Sequence, residues 1–163
     1  MTIKQCVDAS DNVAAFYNPV RGYYAIRALK YFPVNSVVQV FSAHEQLEQP
    51  TYLSVQIDDD KHIHLFPDCL QYTNHSCEPN TFFDTEKGEI VAIRPIHKNE
   101  ELTFFYPATE WSMNQPFQCA CNTPSCLGVI QGAAHLDDTV IINYRFSGYI
   151  QTKLEQRRAM SGG

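Results

Sequence analysis

The residues most clearly placed to do chemistry are three cysteines in the C-terminal third of the chain. Cys119, Cys121 and Cys126 form a Cys-x-Cys-x4-Cys cluster in a segment with little regular periodicity. Cysteines one residue apart are poorly placed to bridge each other, whereas both thiolates can face a common ion. Because structural zinc sites are closed tetrahedra, three thiolates require a fourth ligand. Spacing alone leaves that choice open among Cys6, Cys69, Cys77 and the six histidines.

Other interpretations of the six cysteines remain open from the residues alone. Three disulfides would suit a secreted protein, but no secretory signal is visible and 163 residues can form a core without such cross-links. The clustered cysteines could also be reduced thiols packed in a loop. Cys6 and Cys69 lie apart from the cluster and are predicted to be ordinary buried thiols.

A second candidate segment, residues 72–80, reads Tyr-Thr-Asn-His-Ser-Cys-Glu-Pro-Asn. It is rich in side chains that bond their own backbone, so a plain polar turn with a structural His75 would explain it. His75 and Cys77 could also indicate a thiol hydrolase, although residues two apart rarely aim at each other. A role as metal ligand suits Cys77 better.

Three segments combine in an informative order and spacing. They are Asn-His-Ser-Cys-Glu-Pro-Asn at 74–80, Glu-Glu-Leu-Thr-Phe-Phe-Tyr at 100–106, and the cysteine cluster with its trailing glycine at 117–128. Together they resemble the motifs of the SET-domain protein lysine methyltransferases, of the minimal type with a SET domain and a post-SET segment. The resemblance spans residues 16–132, and the first motif matches without a mismatch.

The resemblance implies a mainly β fold. Small curled β-sheets would form a pseudoknot that threads residues 74–80 and 100–106 together, with a zinc-ordered post-SET loop and a C-terminal helix. The residues agree, because the first two-thirds of the chain read as short strands separated by turn residues, with a hairpin turn at 85–88. From Ser147 the pattern predicts a helix with this serine as its N-cap. The predicted divisions are a SET domain (1–115), a post-SET segment (116–132) and a tail with a helix (133–163).

The resemblance also implies roles for individual residues. It implies Tyr106 as the catalytic tyrosine; Phe104, Tyr52 and Tyr72 as walls of the lysine channel; Arg21, Gly22, Tyr23, Asn74, His75, Phe117 and Leu127 as contacts of S-adenosylmethionine; and Cys77, Cys119, Cys121 and Cys126 as zinc ligands. Plain packing is the alternative role for Tyr52, Tyr72, Phe117 and Leu127. Phenylalanine at position 104 is typical of sites that proceed beyond monomethylation.

The implied chemistry is methyl transfer from a sulfonium to the ε-amine of a lysine. Deprotonating a lysine of pKa about 10.4 costs roughly 4–5 kcal/mol at neutral pH. An apolar aromatic channel lowers that pKa by disfavouring charge, and alignment of the reacting atoms can contribute about 7–11 kcal/mol. The reaction therefore suits a site made of tyrosine and phenylalanine rather than carboxylates.

Departures from the family pattern support an alternative function. Val20 replaces the first glycine of the family's Gly-x-Gly motif, and Phe105 replaces the usual aspartate before the catalytic tyrosine. Gln71 stands where an arginine is frequent, and no cysteine-rich region precedes Phe16. If Val20 prevents cofactor capture, the chain would be a catalytically inactive interaction module with the same fold.

Composition limits the kinds of partner that the protein can bind, but it does not identify the substrate. The net charge of −6 and estimated pI of 5.4 disfavour non-specific binding to nucleic acid and suit a lysine-bearing protein such as a histone tail. Apolar runs are only a few residues long, so no membrane association is expected. Because the N-terminus shows no secretory signal, the predicted location is intracellular.

Overall fold

The computed structural model describes residues 3–5 and 12–162. The strands of the described residues are β1 (Ile3–Gln5), β2 (Val13–Asn18), β3 (Tyr23–Ala28), β4 (Val37–Val40), β5 (Ser42–Leu47), β6 (Val55–Asp58), β7 (Lys61–Phe66), β8 (Asn74–His75), β9 (Thr81–Asp84), β10 (Glu89–Ala92), β11 (Glu101–Phe104), β12 (Phe117–Gln118) and β13 (Val129–Ile130). The helices are α1 (Asp138–Ile141) and α2 (Gly148–Ser161), with 3₁₀ turns at Asp68–Tyr72, Tyr106–Ala108 and Ala133–His135.

These strands form several small sheets rather than one large sheet. The largest has the strand order β1-β2-β3-β11-β8, and two three-stranded sheets have the orders β4-β10-β9 and β5-β7-β6. A two-stranded ribbon joins β12 to β13 on either side of the cysteine loop. The predicted fold class, a mainly β fold of small sheets with few helices, is confirmed.

The hairpin between β9 and β10 shows how local sequence sets this architecture. Glu89 pairs with Asp84 across the turn at 85–88, as the sequence predicted. Gly88 closes the turn with a φ of +69°, and a Cβ there would lie 2.6 Å from the carbonyl oxygen of Phe41. Only glycine fits this position, because it tolerates positive φ and leaves room for the adjoining strand.

Two hydrophobic clusters organise the interior. The first fills the space between the sheets and includes Ile26, Phe83 and Leu102. The second joins Phe105 to the tail through residues of α1 and α2 that include Ile150. The tail is therefore packed on the core.

Helix α2 begins where the sequence predicted. The Ser147 hydroxyl oxygen accepts a hydrogen bond from the Ile150 amide, as an N-cap does. Ile150 and Leu154, one turn apart, are the buried residues of this helix.

The prediction that Cys69 is an ordinary buried thiol is wrong in one respect. Cys69 is buried, but it is disulfide-bonded rather than free. The corresponding prediction for Cys6 lies outside the described residues.

Among the residues that the structure describes, no helix is both long enough and apolar enough to cross a membrane.

Candidate active site

The site forms where β8 and β11 lie side by side. They pair in parallel, with Asn74 opposite Thr103 and His75 opposite Phe104. The pairing continues one residue further, where the Ser76 amide donates to the Phe104 carbonyl oxygen at 3.1 Å. Because parallel neighbours need a long connection, the chain between these strands must loop around before it returns. Two of the three sequence motifs are thereby brought together.

Asn80, the last residue of the first motif, ties this crossing together. Its side-chain amide donates to the Glu101 carbonyl oxygen at 2.8 Å and accepts from the Thr103 amide at 2.9 Å. Asn80 is 1% exposed, so its side-chain amide needs partners within the protein and finds them in the backbone of β11. The asparagine therefore fixes the end of the first motif against β11.

Tyr106 lies two residues beyond the end of β11, and both its hydroxyl and its backbone amide are hydrogen-bonded. Its hydroxyl donates to the Thr73 carbonyl oxygen at 3.0 Å, and its backbone amide donates to Nδ1 of His75 at 3.1 Å. Burial raises the pKa of Tyr106 above its usual range, so the hydroxyl stays protonated. The rings of Phe104 and Phe117 lie 4.7 and 5.8 Å from the Tyr106 ring. Tyr106 therefore presents a neutral, fixed hydroxyl within an aromatic wall.

The His75 imidazole connects this tyrosine to the cysteine cluster. Because Nδ1 accepts from the Tyr106 amide, the neutral ring carries its proton on Nε2, which lies 3.3 Å from Sγ of Cys77. Burial lowers the pKa of His75 to about 4, so the ring is neutral at physiological pH. One imidazole thus contacts both a predicted metal ligand and the backbone of the predicted catalytic residue.

The four cysteines predicted as ligands converge. Their sulfur atoms, from Cys77, Cys119, Cys121 and Cys126, all lie within 4.8 Å of one another, and none of the four is in a disulfide. The Cys77 and Cys119 sulfurs are 3.9 Å apart, close to the roughly 3.8 Å edge of a tetrahedron with Zn–S distances of about 2.3 Å. The donor set and its spacing therefore fit a structural zinc ion.

The environment of Cys77 argues against a thiol nucleophile. The residue is 2% exposed, and burial raises the pKa of its thiol above the usual range. Its sulfur also accepts from the Leu127 amide at 3.4 Å. A reactive cysteine needs access to substrate, which a residue that is 2% exposed lacks. The hypothesis of a thiol hydrolase is therefore not supported.

A cavity of 440 Å³, here called the Asn74 cavity, opens beside β8. Five of the predicted cofactor contacts line it, namely Arg21, Tyr23, Asn74, His75 and Phe117. Gly22 lies in the turn between Arg21 and Tyr23 without being a lining residue. Leu127 lines a separate cavity of 330 Å³ beside Cys77 and Tyr144.

The turn before β3 explains how the chain tolerates Val20. The side-chain oxygen of Asn18 accepts from the Val20 and Arg21 amides, and the Asn18 carbonyl oxygen accepts from the Gly22 amide. Gly22 has a φ of +74°, whereas Val20 is not among the residues with positive φ. The Val20 side chain is 93% exposed. A glycine is therefore needed only at position 22.

A second cavity of 440 Å³, the Glu110 cavity, shares Tyr52, Tyr106 and Phe117 with the first. Tyr52, at 84% exposed, lies at the surface between the two. The remaining predicted channel residues do not line either cavity. Phe104 is stacked on Phe83 with ring centroids 4.1 Å apart, and Tyr72 packs 4.6 Å from Tyr24.

The Glu110 cavity also contains polar residues that no motif indicated, chiefly Gln56, His62 and Glu110. The Glu110 carboxylate accepts from the Gln56 amide at 3.0 Å and from the Thr109 hydroxyl at 2.6 Å. Burial raises the pKa of Glu110 to about 7. The prediction of a site without carboxylates is therefore incomplete. The sequence offered one signal for this residue, because Glu110 is the one charged residue in the segment 107–118 that follows Tyr106.

The departure at Phe105 has a structural reason in the tail. Phe105 is 2% exposed, and its ring stacks on Tyr144 with centroids 3.6 Å apart and planes 5° from parallel. The Tyr144 hydroxyl donates to the Cys77 carbonyl oxygen at 2.6 Å. An aspartate at position 105 would bury its charge against this ring. Phenylalanine instead packs on Tyr144 and so attaches the tail to the site.

Known proteins share these features. The SET domain family matches residues 23–107. Methyltransferase flvH of Aspergillus flavus is 36% identical over 130 residues, which cover 78% of this chain and 72% of that protein. Histone-lysine N-methyltransferase ash1 of Drosophila melanogaster is 38% identical over 71 residues, 40% of this chain and 3% of that protein. The H3 lysine-36 specific enzyme of Kluyveromyces lactis is 33% identical over 84 residues, 47% of this chain and 12% of that protein.

A crystal structure of KRYPTONITE in complex with mCHH DNA, H3(1-15) peptide and SAH has the same fold. Its TM-score is 0.53 at 22% identity, covering 77% of this chain and 31% of that one. The chain therefore belongs to the SET-domain family, as its motifs predicted. The predicted class of enzyme, a SET-domain protein-lysine methyltransferase, is confirmed at the level of this family.

Proposed function

We propose that this protein transfers a methyl group from S-adenosylmethionine to the ε-amine of a lysine in a protein substrate. The observation that carries the proposal is the meeting of two cavities at Tyr52, Tyr106 and Phe117. Methyl transfer needs two reactants to meet at one point while each enters from its own space. The Asn74 cavity has the residues expected for the cofactor, which leaves the Glu110 cavity for the substrate.

S-adenosylmethionine, when bound, supplies an electrophilic methyl group. On this proposal Asn74, His75 and Phe117 bind and orient the cofactor. Arg21 and Tyr23 line the same cavity. The residue before Asn74 is equally important for the geometry, because the Thr73 carbonyl fixes the Tyr106 hydroxyl.

Tyr106 and its aromatic neighbours prepare the amine. A low-dielectric aromatic surrounding disfavours the ammonium form, so it lowers the pKa of an incoming lysine. The Tyr106 hydroxyl oxygen, already donating to Thr73, has lone pairs free to accept a hydrogen bond from the neutral amine. Tyr106 thereby orients the amine lone pair without acting as a strong base.

Zinc is proposed for the four-cysteine cluster. Cys77, Cys119, Cys121 and Cys126 would hold it as thiolates in a closed site, so the ion would stabilise structure rather than act on substrate. Its binding would order the loop that carries Phe117 into both cavities. We therefore propose that the chain divides into a SET domain (1–115), a zinc-ordered segment (116–132) and a tail (133–163).

A lysine-rich protein, such as a histone tail, is the proposed substrate class. Several relatives are named histone-lysine N-methyltransferases, and the net charge of −6 suits a cationic partner. The same relatives support an intracellular location. The chain covers only 3% and 12% of the two histone enzymes described above, so the particular target is left to experiment.

The test is methyl transfer in vitro with the full chain. We expect S-adenosylmethionine to bind in calorimetry, and labelled methyl groups to reach lysines on histones or peptide arrays. Absence of cofactor binding would contradict the proposal. Cofactor binding without any transfer would favour the inactive interaction module. Nothing at Val20 favours that module, because its exposed side chain leaves the Asn74 cavity open.

A further inference from the structure

The Glu110 cavity is lined by a carboxylate that has no cationic partner among the described residues. It belongs to Glu110, which lies four residues beyond Tyr106 in the chain. The His62 imidazole, whose residue is 6% exposed, lines the same cavity. Because desolvated charges in proteins are normally paired, an unpaired carboxylate calls for a specific reason.

Glu110 is held in place but not neutralised. Its Oε2 accepts the hydrogen bonds from the Gln56 amide and the Thr109 hydroxyl, which fix the orientation of the carboxylate. Within the part of the chain that the structure describes, Glu110 forms no ion pair. The other carboxylate oxygen, Oε1, has no hydrogen bond in that part either. A largely buried carboxylate without a cation costs free energy, and a positively charged ligand would remove that cost.

Gln56 extends the support behind this carboxylate. Its side-chain oxygen accepts from the Trp111 amide at 2.9 Å, and its side-chain nitrogen reaches the Tyr149 hydroxyl of α2 at 3.3 Å. The Tyr149 hydroxyl in turn donates to Asp59 at 2.8 Å. The tail helix therefore braces the strand that positions Glu110. Such bracing is typical of a group whose orientation matters for binding.

His62 lines the same cavity as Glu110 without adding charge. Burial lowers the pKa of His62, so its ring is neutral at physiological pH and does not compete as a cation for the carboxylate. A cation with N–H donors, such as an ammonium or a guanidinium, could pair with Glu110. An acidic or apolar group would leave this carboxylate without a partner.

We propose that Glu110 binds a cationic nitrogen group of the substrate and so makes the Glu110 cavity selective for positively charged substrates. This inference rests on the proposed function, because it assigns the cavity to the methyl acceptor. The cation has two possible sources that share one chemistry. It is either the ammonium of the target lysine as it enters, or the side chain of an arginine or lysine beside it.

The test compares the full-length wild type with Glu110→Gln, which keeps the size and the hydrogen-bond acceptor for Gln56 and Thr109. Glu155→Gln, which removes the same charge from the exposed face of α2, is the matched control. Each protein methylates two peptides with a single lysine, one flanked by neutral residues and one flanked by arginines. We expect Glu110→Gln to lower kcat/KM by roughly 10- to 100-fold, mostly through KM, while Glu155→Gln does not change it.

The two peptides separate the sources of the cation. Loss with both peptides identifies the target ammonium, and loss confined to the arginine-flanked peptide identifies the neighbouring side chain. Unchanged kinetics with both peptides would overturn the inference while leaving the proposed function intact. Absence of any transfer by the wild type would overturn the proposed function first.

A second measurement covers the case in which Glu110→Gln does not fold. A thermal melt, together with calorimetry of S-adenosylmethionine binding, would reveal this case. The wild type is then assayed with n-butylammonium chloride or neutral 1-pentanol as competitor. Inhibition by the ammonium at concentrations about tenfold or more below those needed for the alcohol supports the inference. Equal inhibition, or none by either compound, overturns it.

Discussion

The Asn74 cavity and the Glu110 cavity meet at the same three aromatic residues but are built differently. The Asn74 cavity takes most of its lining from consecutive motif residues, including Asn74–Ser76 and Phe117–Cys121. The Glu110 cavity is assembled from the loop at 50–52, single residues on β6 and β7, and the loop after Tyr106. Both cavities bring distant segments together, but the first is lined mostly by motif residues and the second mostly by residues that belong to no motif.

This difference is also chemical. On the Asn74 side, β8 pairs with β11 through the backbone, and the side chains of Asn80 and His75 make the contacts that constrain residue type. On the Glu110 side the lining residues mix exposed aromatic, amide and acidic side chains. Such a surface can vary between relatives without disturbing the fold. We infer that the first cavity defines the reaction and the second defines the substrate.

The largest effect is expected where the two cavities meet. Tyr106→Phe removes the hydroxyl fixed by Thr73 but leaves the aromatic wall, so transfer should fall by about 10²- to 10³-fold. S-adenosylmethionine affinity in calorimetry should change little, because the Asn74 cavity retains its lining. Tyr31→Phe, at an exposed tyrosine that contacts His97, serves as the control. Equal loss of cofactor binding and transfer would show that Tyr106 has only a structural role.

A smaller effect is expected from the zinc site. Cys77→Ser or removal of zinc by a chelator should weaken S-adenosylmethionine binding by about 10- to 100-fold, because His75 contacts both Cys77 and the Tyr106 backbone. Hydrogen exchange should also accelerate across β12 and β13. Ser125→Ala, an exposed residue of the same loop, should change neither measurement. Metal analysis that finds no zinc in the folded wild type would contradict this prediction.

On the Glu110 side, stability and binding should move in opposite directions. A carboxyl group whose pKa is raised to about 7 in the folded protein binds more protons there than in the unfolded chain, where it titrates near 4.3. Stability therefore falls as pH rises from about 4 to 7, and the full penalty remains above pH 7. Glu110→Gln removes it, so this variant should gain up to about 3–4 kcal/mol at pH 8 and almost nothing at pH 4.

The measurement is denaturant unfolding of both proteins at each pH. The titratable groups that face Glu110 are Tyr106, Tyr149 and His62. Burial raises the pKa of both tyrosines and lowers that of the histidine, so none of the three should acquire charge between pH 7 and 8. A loss of stability in Glu110→Gln at pH 8 would indicate that Glu110 is mainly a structural acceptor for Gln56 and Thr109.

The smallest effect is expected at the rim of the Asn74 cavity. Val20→Gly should change S-adenosylmethionine affinity by less than about threefold, because the valine side chain is 93% exposed. Gly22→Ala should cost about 1 kcal/mol or more, since it places a Cβ at a φ of +74°. If Val20→Gly instead created cofactor binding that the wild type lacks, the inactive module would be the better function.

The sequence by itself predicted the family, the small-sheet fold and the four cysteines that converge in the structure, and it singled out Tyr106 as the candidate catalytic residue. These features depend on short contiguous motifs, because β8, the turn at Gly22 and the cysteine loop are each shaped by neighbouring residues. The helix start at Ser147 was readable for the same reason, since an N-cap acts within three residues.

Only the tertiary structure decided which side chains share a cavity. Glu110 accepts from Gln56, 54 positions earlier in the chain, and Tyr144 covers Phe105 from the tail. The tertiary structure also leaves Tyr72, Leu127 and Phe104 out of the lining of the two cavities, although their residue types suited the predicted roles. Phe104 instead stacks on Phe83. Residue type limits what a side chain can do, whereas long-range packing sets where it lies, and no local pattern encodes that packing.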